Sequence, residues 1–279
     1  MTDRLEDWIG RKETKSDIAT AWPVAAMNAT FDRCEPDPLD GDALPPGWHW
    51  LYFLEAKPSS ELGPDGHPQR GGFLPPVPLP RRMWAGGRIE FIRPLHVGEK
   101  LRRDSEIISV LAKDGKSGRL VFVTVRHSVY ASEALSTIEE HDIVYREAAK
   151  PGDPPTAGKG APASGQWMRR ISPDAVMLFR FSALTFNGHR IHYDLDYVRH
   201  EESYPGLIVH GPMQTLLLLD LCRRNGTDVK KLDYRALHPV FHTERLTIAG
   251  NPSADGSTVT LWTANSLGNF AMTGTATLA

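Results

Sequence analysis

Gly211-Pro212-Met213-Gln214-Thr215-Leu216-Leu217-Leu218-Leu219-Asp220-Leu221-Cys222-Arg223 is the stretch on which the fold turns. Proline is tolerated in the first turn of a helix and Asn225-Gly226 supplies a stop, so the pattern predicts a helix from Gly211 or Pro212 to about Arg223. Met213, Leu216, Leu217, Leu218, Leu219 and Leu221 make it apolar nearly all round, which implies burial and not a surface position. Downstream the chain turns β-rich: Leu246 to Ala249, Ser257 to Ala264 and Asn269 to Leu278, with Asp255-Gly256 as a turn. The expected unit is a central helix wrapped by an antiparallel sheet.

That unit has a counterpart upstream. Pro94-Leu95-His96-Val97-Gly98-Glu99-Lys100-Leu101 matches Pro239-Val240-Phe241-His242-Thr243-Glu244-Arg245-Leu246 at a constant offset, and each copy leads into β-rich sequence. In the first half this is Arg102 to Ala112 and Arg119 to Ala131, joined through Lys113-Asp114-Gly115-Lys116, then Thr137 to Arg146. Between the halves, residues 150–165 (KPGDPPTAGKGAPASG) lack apolar periodicity and read as an extended, poorly ordered linker. The expected division is 1–149, a degenerate copy on the substrate-pocket side; 150–165, the linker; and 166–279, the copy that carries the chemistry. The first half's helix is harder to place: Asp17 to Ala29 is helical in pattern, while Trp48 to Glu55 is short and aromatic.

Composition excludes several function classes. At 279 residues the chain can bury a substantial core as one large domain or two ordinary ones. A formal net charge of −2, with acids and bases interspersed, does not favour nucleic acid. Cys34 and Cys222 lie far apart without metal-type spacing, as free thiols of a reducing compartment do, and the cytoplasm is the expected location. Met1 to Asp7 is charged and lacks the apolar core of a signal peptide, and the Leu216–Leu219 run, broken by Asp220, is far short of the roughly 20 residues of a membrane span.

The chemistry gathers at Phe181-Ser182-Ala183-Leu184-Thr185-Phe186-Asn187-Gly188-His189-Arg190-Ile191-His192-Tyr193-Asp194, just before the helix. His192 lies five residues after Asn187, too far for one helix face but easily converged by a tight loop, so both could hold one water. An imidazole titrates near neutrality and suits a general base; an amide cannot take a proton but can orient water. Asn187 equally suits an Asx turn, and Asp194 and Asp196 otherwise read as solvated loop charges. His189, His192 and His210 lack a recognised ligand spacing, so no metal is expected. Gly211 opens the helix with unsatisfied N–H groups and a positive dipole end, suited to an oxygen gaining negative charge, and glycine permits close approach.

Phe186-Asn187-Gly188-His189-Arg190-Ile191-His192, followed by His210-Gly211, resembles the MaoC-like hydratase/dehydratase family of the hot-dog fold. Asn187 stands where that family's catalytic aspartate belongs. A closer resemblance is to the branch of mesaconyl- and itaconyl-CoA hydratases and 3-hydroxyacyl-thioester dehydratases, carried also by Leu44-Pro45-Pro46-Gly47-Trp48-His49-Trp50 and Gly71-Gly72-Phe73-Leu74-Pro75. The resemblance implies an α+β double hot-dog: two antiparallel sheets, each around a central helix, in one pseudo-dimeric chain that needs no partner, although further homodimerisation is compatible with it. It implies a hydro-lyase acting on a short enoyl-CoA or 3-hydroxyacyl-CoA, with coenzyme A part of the substrate and no other cofactor. His192 is then the base, with Asn187 positioning water or Asp194 serving as the carboxylate, two roles left open. Gly211, His210, His189 and Trp48 fall on the substrate side, and Arg190 is positioned to meet a substrate carboxylate, in keeping with a branched dicarboxylic acyl group. The alternatives are a fatty-acid-type dehydratase with an apolar tunnel lined by Trp48 to Phe53, a thioesterase, and a non-catalytic acyl-CoA-binding protein.

Overall fold

A computed structural model describes residues 4–115, 118–147 and 158–279. Ten strands form one antiparallel sheet: β1 (Lys12–Ile18), β2 (Arg81–Phe91), β3 (Lys100–Gly115), β4 (Gly118–Ala131), β5 (Ala134–Arg146), β6 (Trp167–Ile171), β7 (Val229–Ala236), β8 (Leu246–Pro252), β9 (Thr258–Ala264) and β10 (Phe270–Leu278). Their order, β1-β3-β4-β5-β2-β7-β10-β9-β8-β6, reads the same from both ends once the halves are exchanged. The join is the β2–β7 pair, from Gly86 opposite Arg235 to Glu90 opposite Lys231. The helices are α1 (Ala21–Thr30), α2 (Ala175–Leu184), α3 (Leu195–His200) and α4 (Gly211–Arg224).

The proline-led repeat turns out to be a hydrogen-bonding repeat. Ile92 and Arg93 both donate to the Ser136 carbonyl, as Leu237 and His238 both donate to that of Ala271. Ala43 bridges His96 as Ile208 bridges Phe241. This correspondence sets Leu44-Pro45-Pro46-Gly47 against Val209-His210-Gly211-Pro212, so the element equivalent to α4 is the 3₁₀ turn Trp48–Leu51. The double hot-dog is present, but only its second sheet wraps a full helix. The helical pattern at Asp17 to Ala29 is divided differently from the expectation: Asp17 and Ile18 end the edge strand β1, and the helix begins at Ala21. It is the counterpart of α2, whose N-cap Asp174 accepts from the Met177 N–H.

Helix α4 is buried from Met213 to Cys222, as its composition requires. Gly47 packs on it so closely that a Cβ there would meet Leu216 and Leu219. At its far end Asp220 is held by Arg33, Arg169 and Arg224, while Arg223 pairs with Glu35, so these arginines brace α1 against α4. Residues 150–157 of the expected linker lie outside the described residues. The remainder is not loose: Gly160 bridges Asn269, Ala161 donates to Gly268 O, and Lys159 O accepts from Phe270.

Candidate functional site

A single turn where a helix should be leaves the inner face of the first sheet uncovered, and a cavity of about 1380 Å³ opens there, reaching from β3–β5 to the mouth of α4. Its walls come from both halves. From the second come Asn187, His189, His192 and Gly211; from the first come Asp65, His67, Arg82 and Trp84.

His192 ends a 3₁₀ turn (Arg190–His192) and is 6% exposed. Its Nδ1 lies 2.7 Å from the Ile208 carbonyl, which can only accept; Nδ1 therefore carries the proton and Nε2 is left as a bare lone pair. The ring stacks on His210, centroids 3.6 Å apart, and His210 meets Ser182 Oγ through Nε2 at 2.9 Å. Burial pushes both imidazoles down, His192 to about 4 and His210 well below its ordinary value, so both are neutral near pH 7. His210 is fully buried and backs the base without lining the cavity.

Asn187 follows Phe186, which adopts φ +47°, and its Oδ1 accepts from the His189 N–H at 3.0 Å. The Asx turn is thus real, and it leaves Nδ2, a pure donor, as the group Asn187 can offer a ligand. His189 lies between His192 and His67, ring centroids 5.5 Å and 4.0 Å away.

Besides His210, three expected site residues do not line the cavity. Asp194 caps α3 by accepting from the Tyr197 N–H and pairs with Arg190, so it is a structural carboxylate. Arg190 is held by Asp194, by the Pro64 carbonyl and over the Tyr197 ring, and does not line the cavity. Trp48 is core, edge-on to Phe31; its neighbours His49 and Trp50 face the cavity.

A carboxylate from the first half docks against the motif. Asp65 Oδ2 lies 2.9 Å from His67 Nδ1, and the turn carrying them docks on the motif, Arg190 N–H donating to Asp65 O. Gly66, at φ +85°, packs against the Gly188 carbonyl where no Cβ would fit. Burial raises the Asp65 carboxyl, but the hydrogen bond and charge of His67 outweigh it and hold it well below the usual range. Burial also lowers His67, and lowers His189 to about 2. Asp65, His67 and His189 offer ligand atoms within 4.8 Å of one another, the one group among the described residues that could hold a metal. Arg82 faces both imidazoles and opposes a cation there. No sequence spacing links residue 65 to residue 189; the contact is tertiary.

A second polar cluster lies deeper in the first sheet. Glu139 accepts from Trp50 Nε1–H and meets His49 Nε2, both at 2.9 Å, with His127 opposite it across the strands and His141 two residues along. Burial raises Glu139, but the His49 hydrogen bond and the surrounding imidazoles draw it down to about 2. The signal was present in the sequence: Glu139 and His141 occupy alternate positions of β5 that should be apolar if a helix covered them.

The model of the hydroxyacyl-thioester dehydratase type 2 family matches residues 47–242, spanning the first-half turn, the Asp65 loop, the motif and the start of α4. The chain belongs to this family. It is 46% identical to mesaconyl-C(4)-CoA hydratase of Chloroflexus aurantiacus, over 89% of each chain. It is 28% identical to the mitochondrial hydroxyacyl-thioester dehydratase type 2 of Schizosaccharomyces pombe, over 85% of this chain and 89% of that one. Among solved structures, a Mycobacterium tuberculosis protein described as a double hot-dog fold superposes with a TM-score of 0.57 at 14% identity, covering 97% of this chain and 96% of its own. Membership places the chain among hydro-lyases, as expected. No helix among the described residues is long and apolar enough to cross a membrane.

Proposed function

We propose that this protein adds water reversibly to a short 2-enoyl-CoA, with a branched dicarboxylic acyl group of the mesaconyl-C4 type as the preferred substrate. The observation that carries the reading is the fixed tautomer of His192: Nδ1–H is tied to Ile208 O, which leaves Nε2 free on a residue that lines the same cavity as Asn187 and Gly211. Nε2 takes a proton from water while Asn187 Nδ2 donates to the water oxygen, which bonds to C3. The C2=C3 electron pair moves onto the thioester oxygen, where the N–H groups at the start of α4 meet the developing charge. C2 then takes up the proton held by the His192 imidazolium, so one base serves both transfers and atoms balance. Asp65, through His67 and His189, supplies the negative charge that steadies that imidazolium, in place of Asp194.

Incubation with mesaconyl-C4-CoA should lower the ultraviolet absorbance of the conjugated thioester while a thiol reagent detects no free CoA. Thiol release would instead mean hydrolysis, and no change at all would leave a binding protein. The docking of the two halves gives a separate check. Gly66→Ala cannot keep its loop against Gly188 and should lower kcat/KM roughly tenfold by displacing Asp65 and His67. An unchanged kcat/KM would detach that loop from the chemistry.

A further inference from the structure

The geometry points to Arg82 as the residue that recognises the second carboxylate of the substrate, the role that Arg190 cannot fill. This rests on the hydratase reading above and names the group that selects its substrate. Three of the five other arginines lining the cavity are engaged. Arg81 pairs with Glu202, Arg70 donates to the carbonyls of Val77, Leu79 and Pro80, and Arg103 lies 3.7 Å from Glu13. Arg146, opposite Arg81, and Arg235, opposite Gly86, also line it, but the arginine whose charge bears on both His67 and His189 is Arg82. Arg82 lines the same cavity, half-buried, and among the described residues no carboxylate lies within ion-pair distance of it. A half-buried guanidinium without a counter-ion is a ready partner for a planar, two-oxygen anion.

Its surroundings favour an anion over a cation. The charge of Arg82 falls on His67, His189 and His141, all held neutral chiefly by burial, so these imidazoles add no cation of their own beside it. Tyr145, its cross-strand partner on β5, adds a hydroxyl beside the guanidinium.

The spacing suits a short diacid. Trp84, on the same strand face, lies against Gly211, whose Cβ position would be 3.4 Å from the tryptophan side chain, so Trp84 marks where the thioester oxygen meets α4. Arg82 is two residues away, about 6.6 Å along the strand. In a four-carbon diacid the thioester and free carboxyl carbons are separated by three C–C bonds, about 4 Å at bond lengths near 1.5 Å. A guanidinium reaching inward from Arg82 closes the remainder. A linear fatty acyl chain would put methylenes beside that charge.

The test compares wild type, Arg82→Met, Arg82→Lys and Arg190→Ala. The kcat/KM for mesaconyl-C4-CoA relative to crotonyl-CoA, which lacks the carboxylate, should fall about 10- to 100-fold in Arg82→Met, fall less in Arg82→Lys, and hold in Arg190→Ala. Calorimetry with succinyl-CoA and butyryl-CoA reads the same preference without turnover, and Arg82→Met should erase it. An equal loss on both members of either pair, or a ratio that survives in Arg82→Met, overturns the assignment. If wild type hydrates neither enoyl thioester, the hydratase reading fails on its own, and the calorimetric preference still decides whether Arg82 binds a carboxylate.

Discussion

His192→Ala lowers turnover by about 10² to 10⁴ with the fold intact, because it removes a neutral imidazole whose Nδ1–H is tied to Ile208 O and whose free Nε2 belongs to the cavity that Asn187 also lines. Asn187→Ala costs less, since a donor that orients water can be replaced in part by water itself. Asp194→Asn leaves turnover nearly unchanged and weakens only the cap of α3 and the Arg190 pair. Steady-state rates on mesaconyl-C4-CoA, with thermal unfolding as a control for folding, separate the three. Wild-type turnover in the His192 variant would remove the imidazole from the mechanism, and a larger loss in Asp194→Asn than in Asn187→Ala would return the carboxylate role to Asp194.

Mild acid should unfold the protein. Six of its eleven histidines, His67, His127, His141, His189, His192 and His210, are held below their ordinary pKa of 6.5 chiefly by burial, His127 to about 3 and His141 and His192 to about 4. The unfolded chain takes up these protons near pH 6.5 and the folded chain does not. Stability is therefore greatest above 6.5 and falls with pH below it, each such group contributing about 1.4 kcal/mol per pH unit until its folded pKa is reached. Glu139 acts in the same direction lower down, from its ordinary 4.5 towards about 2. Domain stabilities are about 5–15 kcal/mol, so several histidines titrating together suffice to unfold the chain before pH 4. The midpoint of thermal unfolding followed by circular dichroism should drop steeply between pH 6.5 and 4.5; a flat profile from pH 7 to 5 would mean that these imidazoles are solvated. Activity should persist down to the onset of unfolding, because His192 remains the free base throughout that range.

The sequence revealed the elements whose burial is uniform. Helix α4 was legible because its leucines leave it no polar face, and β3 to β5 and β8 to β10 because branched and aromatic residues alternate between tight turns. The edge strand β1 (KETKSDI) is largely polar on both faces, and its end was read as helix. β7 (VKKLDYRA) hides its inward Leu232 and Tyr234 among charges, and β2 carries Gly86 and Gly87 where Tyr234 crosses close by. In the site, Asn187, His189, His192 and Gly211 were visible because they are local to one motif. Asp65, His67 and Arg82 were not, since what assigns them is a fold that carries one loop and one strand of the first half to the second. Arg190 and Asp194 misled for a related reason: four residues apart, they satisfy each other.

The replacement of one central helix by the turn at Trp48–Leu51 gives the two halves of the chain unequal freedom to change. The motif before α4 packs against an apolar helix, where each substitution disturbs a core. Residues 54–80 and the sheet face beside them line the cavity without a covering helix, and connecting segments there can lengthen or reshape at little energetic cost. On the reading proposed above, such a chain can vary its acyl-facing loop and sheet while the motif stays fixed, provided that the Asp65–His67 turn keeps its dock on Gly188, so descendants of this scaffold are free to differ in substrate within that one constraint.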